Sequence, residues 1–87
     1  MADPYTIVLD NAAEREFIKL DGSVKPRIAE GIDKLSGDPR PQGYKKIVGE
    51  ESQYRIRVGD YRIIYEISDA TKSVLVKVIR HRKDAYR

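Results

Sequence analysis

The apolar positions of the chain fall into two periods. Tyr5-Thr6-Ile7-Val8-Leu9 is short, β-branched and alternating, which predicts a first strand. Asp10 then offers a helix N-cap, and Ala13, Phe17 and Leu20 recur at i, i+4 and i+7 before Asp21-Gly22 ends the pattern. Ser23 is placed to cap a second helix with Pro26 in its first turn, and Val24, Ile28, Ile32 and Leu35 share one face of it. Ser36 to Gly43 is rich in Gly and Pro and reads as a loop. Beyond it, Tyr44 to Val48 reads as an extended stretch. From Tyr54 the period is two. Tyr54 to Val58 and Tyr61 to Ile67 flank Gly59-Asp60, a two-residue hairpin signal, and Val74 to Ile79 is a further strand. Together these predict a single α+β domain over residues 1–87. Two N-terminal helices pack on one face of a mainly antiparallel sheet, in the chain order β-α-α-β-β-β.

A two-residue turn fixes the hairpin register. Val58 faces Tyr61, Arg57 faces Arg62, Ile56 faces Ile63, and Arg55 faces Ile64. Tyr54, Ile56, Val58, Tyr61, Ile63, Tyr65 and Ile67 then share one side, which Val74, Val76 and Val78 are expected to join as the floor for the helices. The other side carries Arg55, Arg57 and Arg62. Like charges facing each other across a strand pair cost a few tenths to about 1 kcal/mol. One reading is a solvated surface. The other is a site for a phosphate or a transition-state anion, which convergent guanidiniums suit, whereas mixed-sign pairs would serve solubility better. The terminal run Arg80-His81-Arg82-Lys83 adds to this face, and unbroken alternation would aim His81 at the arginines. His81 is the one side chain whose ordinary pKa suits proton transfer near neutrality. Lys45 and Lys46 are either extensions of the basic strip or plain solubility residues. Tyr86 is either a loose end or an aromatic platform for a nucleobase.

Composition narrows the chemistry. The chain has 87 residues with a formal charge of +3, 36% charged and 40% hydrophobic residues, and no cysteine. Residues 1–43 carry a balance of −2 and residues 44–87 one of +5, so the basic character sits in the half that holds the hairpin. Without Cys there is no disulfide framework or thiolate metal site, and a reducing, cytoplasmic compartment is expected. One His with scattered carboxylates argues against a metal centre, and there is no nucleotide fingerprint, so no cofactor is expected. No apolar run approaches the ~20 residues of a membrane helix.

The string Tyr54-Arg55-Ile56-Arg57-Val58-Gly59-Asp60-Tyr61-Arg62-Ile63-Ile64-Tyr65 resembles the RelE/ParE superfamily of bacterial toxins. His81-Arg82-Lys83-Asp84-Ala85-Tyr86 near the terminus and Lys46-Ile47-Val48-Gly49 before the hairpin carry the same likeness. The resemblance, to the RelE-like mRNA interferase branch in particular, implies a type II toxin restrained by a RelB-like antitoxin. Such a toxin enters the ribosomal A site and cleaves mRNA there without a metal, by attack of a ribose 2′-hydroxyl on the adjoining phosphate. It implies that Arg62 stabilises the transition state, that Arg82 stabilises charge or donates the proton, and that Tyr86 stacks on a codon base. Arg55 and Arg57 stand where the best-studied branch has lysines, one of them proposed as the base. Arg does not deprotonate, which leaves His81, a ribosomal group or water, or purely electrostatic activation. Lys45, Lys46, Lys77, Arg80 and Lys83 complete the expected RNA-binding set. A ParE-like gyrase inhibitor without nuclease chemistry and a non-catalytic RNA-binding module are the alternatives.

Overall fold

The computed structural model describes residues 4–47, 49 and 53–83. Five strands form one sheet in the order β1-β5-β4-β3-β2, where β1 is Thr6–Leu9, β2 Lys45–Lys46, β3 Gln53–Val58, β4 Tyr61–Ser68 and β5 Ser73–His81. β1 joins β5 in parallel, and the remaining pairings are antiparallel. The stretch after the loop thus contributes a two-residue edge strand, one more strand than the expected order.

Two helices cover one face. In α1, Asn11–Ile18, the Asp10 carboxylate accepts the Ala13 amide at 2.9 Å, as the cap pattern predicts. α2 spans Lys25–Gly37, and its start differs from expectation. Val24 occupies the N-cap position with no side-chain cap, while the Asp21 carbonyl accepts the amides of Val24 and Lys25. Pro26 sits in the first turn, where its missing N–H costs nothing. The core is Ala13, Ile28, Ile32 and Leu35 from the helices against Ile56, Ile63, Tyr65, Ile67, Val74, Val76 and Ile79 from the sheet.

α2 approaches β3 closely because residue 31 is Gly. A Cβ there would meet Val58 Cγ2 at 2.6 Å, inside any tolerable contact. Gly31→Ala sets a helix-propensity gain of about 1 kcal/mol against an overpacking cost of about 1–3 kcal/mol. We expect net destabilisation in chemical denaturation. In a Val58→Ala background the clash is gone, so the same change should become neutral or stabilising.

The hairpin register matches the expected one at every position from Arg55 to Val58. Gly59 has φ +59 and Asp60 is not at positive φ, the II′ geometry that suits the twist of the flanking strands. The β4–β5 pairing departs from expectation. Ile64 faces Val78 while Tyr65 faces Val76, so Lys77 is an extra residue on β5. This bulge reverses the parity of everything after it. Ile79, not Val78, enters the core and is 3% exposed, and Val78 is left half-buried.

A polar clasp fixes the loop that leads into β2. Arg40 donates to both Asp69 oxygens at 2.9 and 3.3 Å, Tyr5 donates its hydroxyl to Asp69, and Tyr65 donates its hydroxyl to the Pro39 carbonyl at 2.7 Å. Arg40 also lies 5.3 Å from the centroid of the Tyr54 ring. The Arg40 and Tyr5 hydrogen bonds hold the Asp69 carboxyl below its ordinary pKa of 3.8. A depressed carboxyl stabilises the fold above its unfolded pKa, and that contribution is lost as pH falls through the folded value. The melting-temperature difference between the protein and Asp69→Asn should therefore be full near neutrality and should shrink as pH falls below 3.8 through the lowered folded value, as differential scanning calorimetry would show.

Candidate functional site

The face of the sheet away from the helices carries the arginines. Register sets Arg57 opposite Arg62 across the hairpin, and Arg62 opposite Arg80 on the other flank. Three guanidinium stems therefore stand in one row across β3, β4 and β5. Neighbouring stems in such a row are about 4.5–5.5 Å apart at Cβ. Arg55 lies one step along β3, with Lys45 opposite it on β2. Arg57 is exposed, and Arg55 and Arg62 are half-buried. The Arg62 Nε is shielded from solvent, which restricts how far that side chain can swing.

The bulge at Lys77 is what completes the row. With unbroken alternation Arg80 would point under the helices and His81 would join the arginines. One inserted residue exchanges them. Arg80 takes the open face, and its Nε lies 3.5 Å from a carboxylate oxygen of Glu16 on α1, whose other oxygen accepts the Ile79 amide of β5. His81 takes the helix face, paired with Tyr61 and packed edge-on against its ring at a centroid distance of 5.2 Å. The His81 Nδ1 accepts the Lys83 amide at 3.2 Å. The expectation that His81 faces the arginines is thus corrected, and the cause is a local insertion in the strand.

The other expected residues are distributed unevenly. Arg82 is exposed just past β5, its amide donating to the Asp60 carbonyl at 2.7 Å and its Nε 4.0 Å from an Asp60 carboxylate oxygen, so it sits at the hairpin tip. Lys77 occupies the bulge, 3.9 Å from a Glu66 carboxylate oxygen. Lys46 pairs with Tyr54, which places it on the side opposite Lys45. Lys83 follows the last strand and is exposed. Tyr86 lies outside the described residues. Beside the row, Ile64, Leu75 and Val78 are half-buried and Val8 is 48% exposed, giving the open face an apolar flank. Ile79 belongs to the core.

What this surface can do follows from the chemistry of Arg. A guanidinium presents a rigid fork of donors that matches phosphate oxygens, and it keeps its charge at any physiological pH. The row can therefore orient a phosphodiester and stabilise negative charge developing on it. It cannot take up a proton.

Comparison with known proteins sets this chain in a family. A family model described as the ParE toxin of the type II toxin–antitoxin system parDE matches residues 7–86. Toxin RelG of Mycobacterium tuberculosis is 29% identical over 85 residues, which are 97% of this chain and 98% of that protein. Among solved structures, the toxin–antitoxin complex RelBE2 from M. tuberculosis aligns with a TM-score of 0.81 at 27% identity, covering 94% of this chain and 95% of that one. The archaeal RelE–RelB complex from Pyrococcus horikoshii aligns with a TM-score of 0.80 at 25% identity, covering 91% and 96%. The isolated RelE toxin of E. coli shares the fold, with a TM-score of 0.78 at 22% identity over 94% and 95%. With the matched strand and helix order and nearly the whole chain covered, the protein belongs to the ParE toxin family, a RelE/ParE-like toxin of a type II toxin–antitoxin system.

Proposed function

We propose that this toxin is a ribosome-dependent endoribonuclease that cuts mRNA in the A site. The observation that carries the reading is the Arg57–Arg62–Arg80 row on an open sheet face. In the reaction the ribose 2′-oxygen forms a bond to its own 3′ phosphorus and the bond from phosphorus to the 5′-oxygen breaks. The products are a 2′,3′-cyclic phosphate and a 5′-hydroxyl. Arg62, at the centre of the row, stabilises the charge of the pentavalent intermediate, and Arg57 and Arg55 orient the phosphate. Arg82 serves the leaving 5′-oxygen, and Tyr86 stacks on a base of the codon. Because no arginine accepts the 2′-hydroxyl proton and His81 lies across the sheet, that proton goes to a ribosomal group or to water. Lys45, Lys77 and Lys83 supply backbone contacts that position the strand.

The partner is a RelB-like antitoxin, as the RelB complexes among the structural neighbours support. It covers the apolar flank at Val8, Ile64, Leu75 and Val78 and competes with RNA for the arginines. Toxin co-purified with its antitoxin should leave mRNA uncut, and intact cleavage in that complex would reject the competition. The family name favours one second reading, a gyrase inhibitor without nuclease chemistry. Primer extension on an mRNA translated in vitro decides between them. Cuts at A-site codons that require ribosomes support the nuclease. Uncut mRNA together with loss of gyrase supercoiling establishes the alternative.

A further inference from the structure

A groove of about 720 Å³ runs from the arginine face around the β3 edge to α2. Its lining includes Arg55 and Arg57, which belong to the open face, and Lys45, Arg27 and Lys34, which do not share the row. Glu30 is the one carboxylate lining it and is held by Lys34 at 3.4 Å. Five cations against one acid make the groove an electrostatic continuation of the site.

The edge of the sheet is open there. Ile47 donates its amide to the Gln53 carbonyl, so residues 53, 55 and 57 turn their backbone polar groups toward the β2 side. β2 pairs only with Tyr54 and Arg55, and among the described residues Arg57 has no strand opposite it. The Arg57 amide thus faces the groove beside its own guanidinium. At the far end Arg27 reaches the hairpin turn, where a Cβ on Gly59 would come within 3.5 Å of its Nη2. Gly31 lets α2 lie close enough to form the opposite wall.

We propose that this groove binds the backbone of single-stranded RNA that continues from the arginine row, with its phosphates held by the Arg57 amide, Lys34 and Arg27. This rests on the reading of the open face as an RNA site and adds a second stretch of strand to it. A peptide would need large apolar anchors, and the groove offers only Pro41, Val58 and the buried Ile56. A polyanion needs spaced cations and edge amides, which it has.

The test uses fully 2′-O-methylated oligonucleotides, which cannot be cut, so that binding is read apart from cleavage. Fluorescence anisotropy compares a 3-mer with a 9-mer across a salt series. The 9-mer should show the steeper dependence of affinity on salt. The double variant Arg27→Ala/Lys34→Ala should weaken the 9-mer about tenfold and lower its salt slope by about 1.4, near 0.7 for each lost phosphate, and leave the 3-mer unchanged. The charge reversal Arg27→Glu/Lys34→Glu should enlarge the effect, with circular dichroism confirming that both variants fold. In ¹H–¹⁵N spectra the Arg57 amide should shift further with the 9-mer than with the 3-mer, and the amides of Arg27 and Lys34 should shift with the 9-mer only. Equal slopes for the two lengths, or a 9-mer indifferent to the double variant, would overturn the groove. So would a glutamate-rich peptide that binds through Arg27 and Lys34 where RNA does not. Failure to cut mRNA on ribosomes would reject the nuclease reading and leave these binding results standing.

Discussion

Replacing Arg62 with Ala should lower the single-turnover rate of mRNA cleavage on programmed ribosomes by about 10²–10³, the range seen when one preorganised donor to a developing oxyanion is removed. Arg62 is the position for this loss because it has a cationic neighbour on both sides, Arg57 and Arg80. Its half-buried stem limits the alternative places its charge can go. Ribosome affinity, read by co-sedimentation, should fall less than tenfold, since the loss of one cation among many weakens phosphate binding only modestly. Arg62→Lys keeps the charge but not the fork and should recover part of the rate. A parallel fall in rate and affinity would describe a binder instead of an enzyme.

The second large effect concerns stability. Tyr65 is the largest fully buried side chain of the core, and its hydroxyl is bound to the Pro39 carbonyl at 2.7 Å. Burial raises the pKa of this phenol well above its ordinary 10, so it stays protonated and donating near neutrality. Tyr65→Phe removes the donor and leaves a buried carbonyl unpaired, at a cost of about 1–2 kcal/mol. That corresponds to a drop in melting temperature of about 4–15 °C for a domain of this size. Tyr65→Ala also opens a cavity and should cost about 4 kcal/mol, a large part of the stability of such a domain. A Phe variant melting with the parent would mean that the Pro39 loop is held by the Arg40–Asp69 clasp alone.

The hairpin was legible because a two-residue Gly-Asp turn admits one register, and register decides which side every residue takes. The helix stripes were legible for the same reason: Ile28, Ile32 and Leu35 can share only one face. The β5 bulge was not read, although the strand carries a trace of it. Strict alternation from Val74 would bury Arg80 under the helices and expose Ile79, an arrangement that costs far more than one disrupted rung of the ladder. An inward Arg is therefore the signal for an inserted residue, and Lys77 is the residue that can be extruded to solvent. The groove was invisible for a different reason. Arg27 and Lys34 lie 26 and 19 residues before the first residue of β3, Gln53, and only the helix-to-strand approach at Gly31 and Val58 brings them beside it. The weak start of α2 shows the limit of cap rules, since the Asp21 carbonyl does what Ser23 was expected to do.

The reading of the arginine face as a phosphate-transfer surface is tested most directly by one substitution in the RNA. An mRNA carrying a single 2′-deoxynucleotide at the cut position of the A-site codon, bound to ribosomes and treated with the protein, should stay intact there. The unmodified mRNA should be cut to ends bearing a 2′,3′-cyclic phosphate and a 5′-hydroxyl. Cleavage of the deoxy-substituted site at an undiminished rate, or product with a 5′-phosphate, would contradict it.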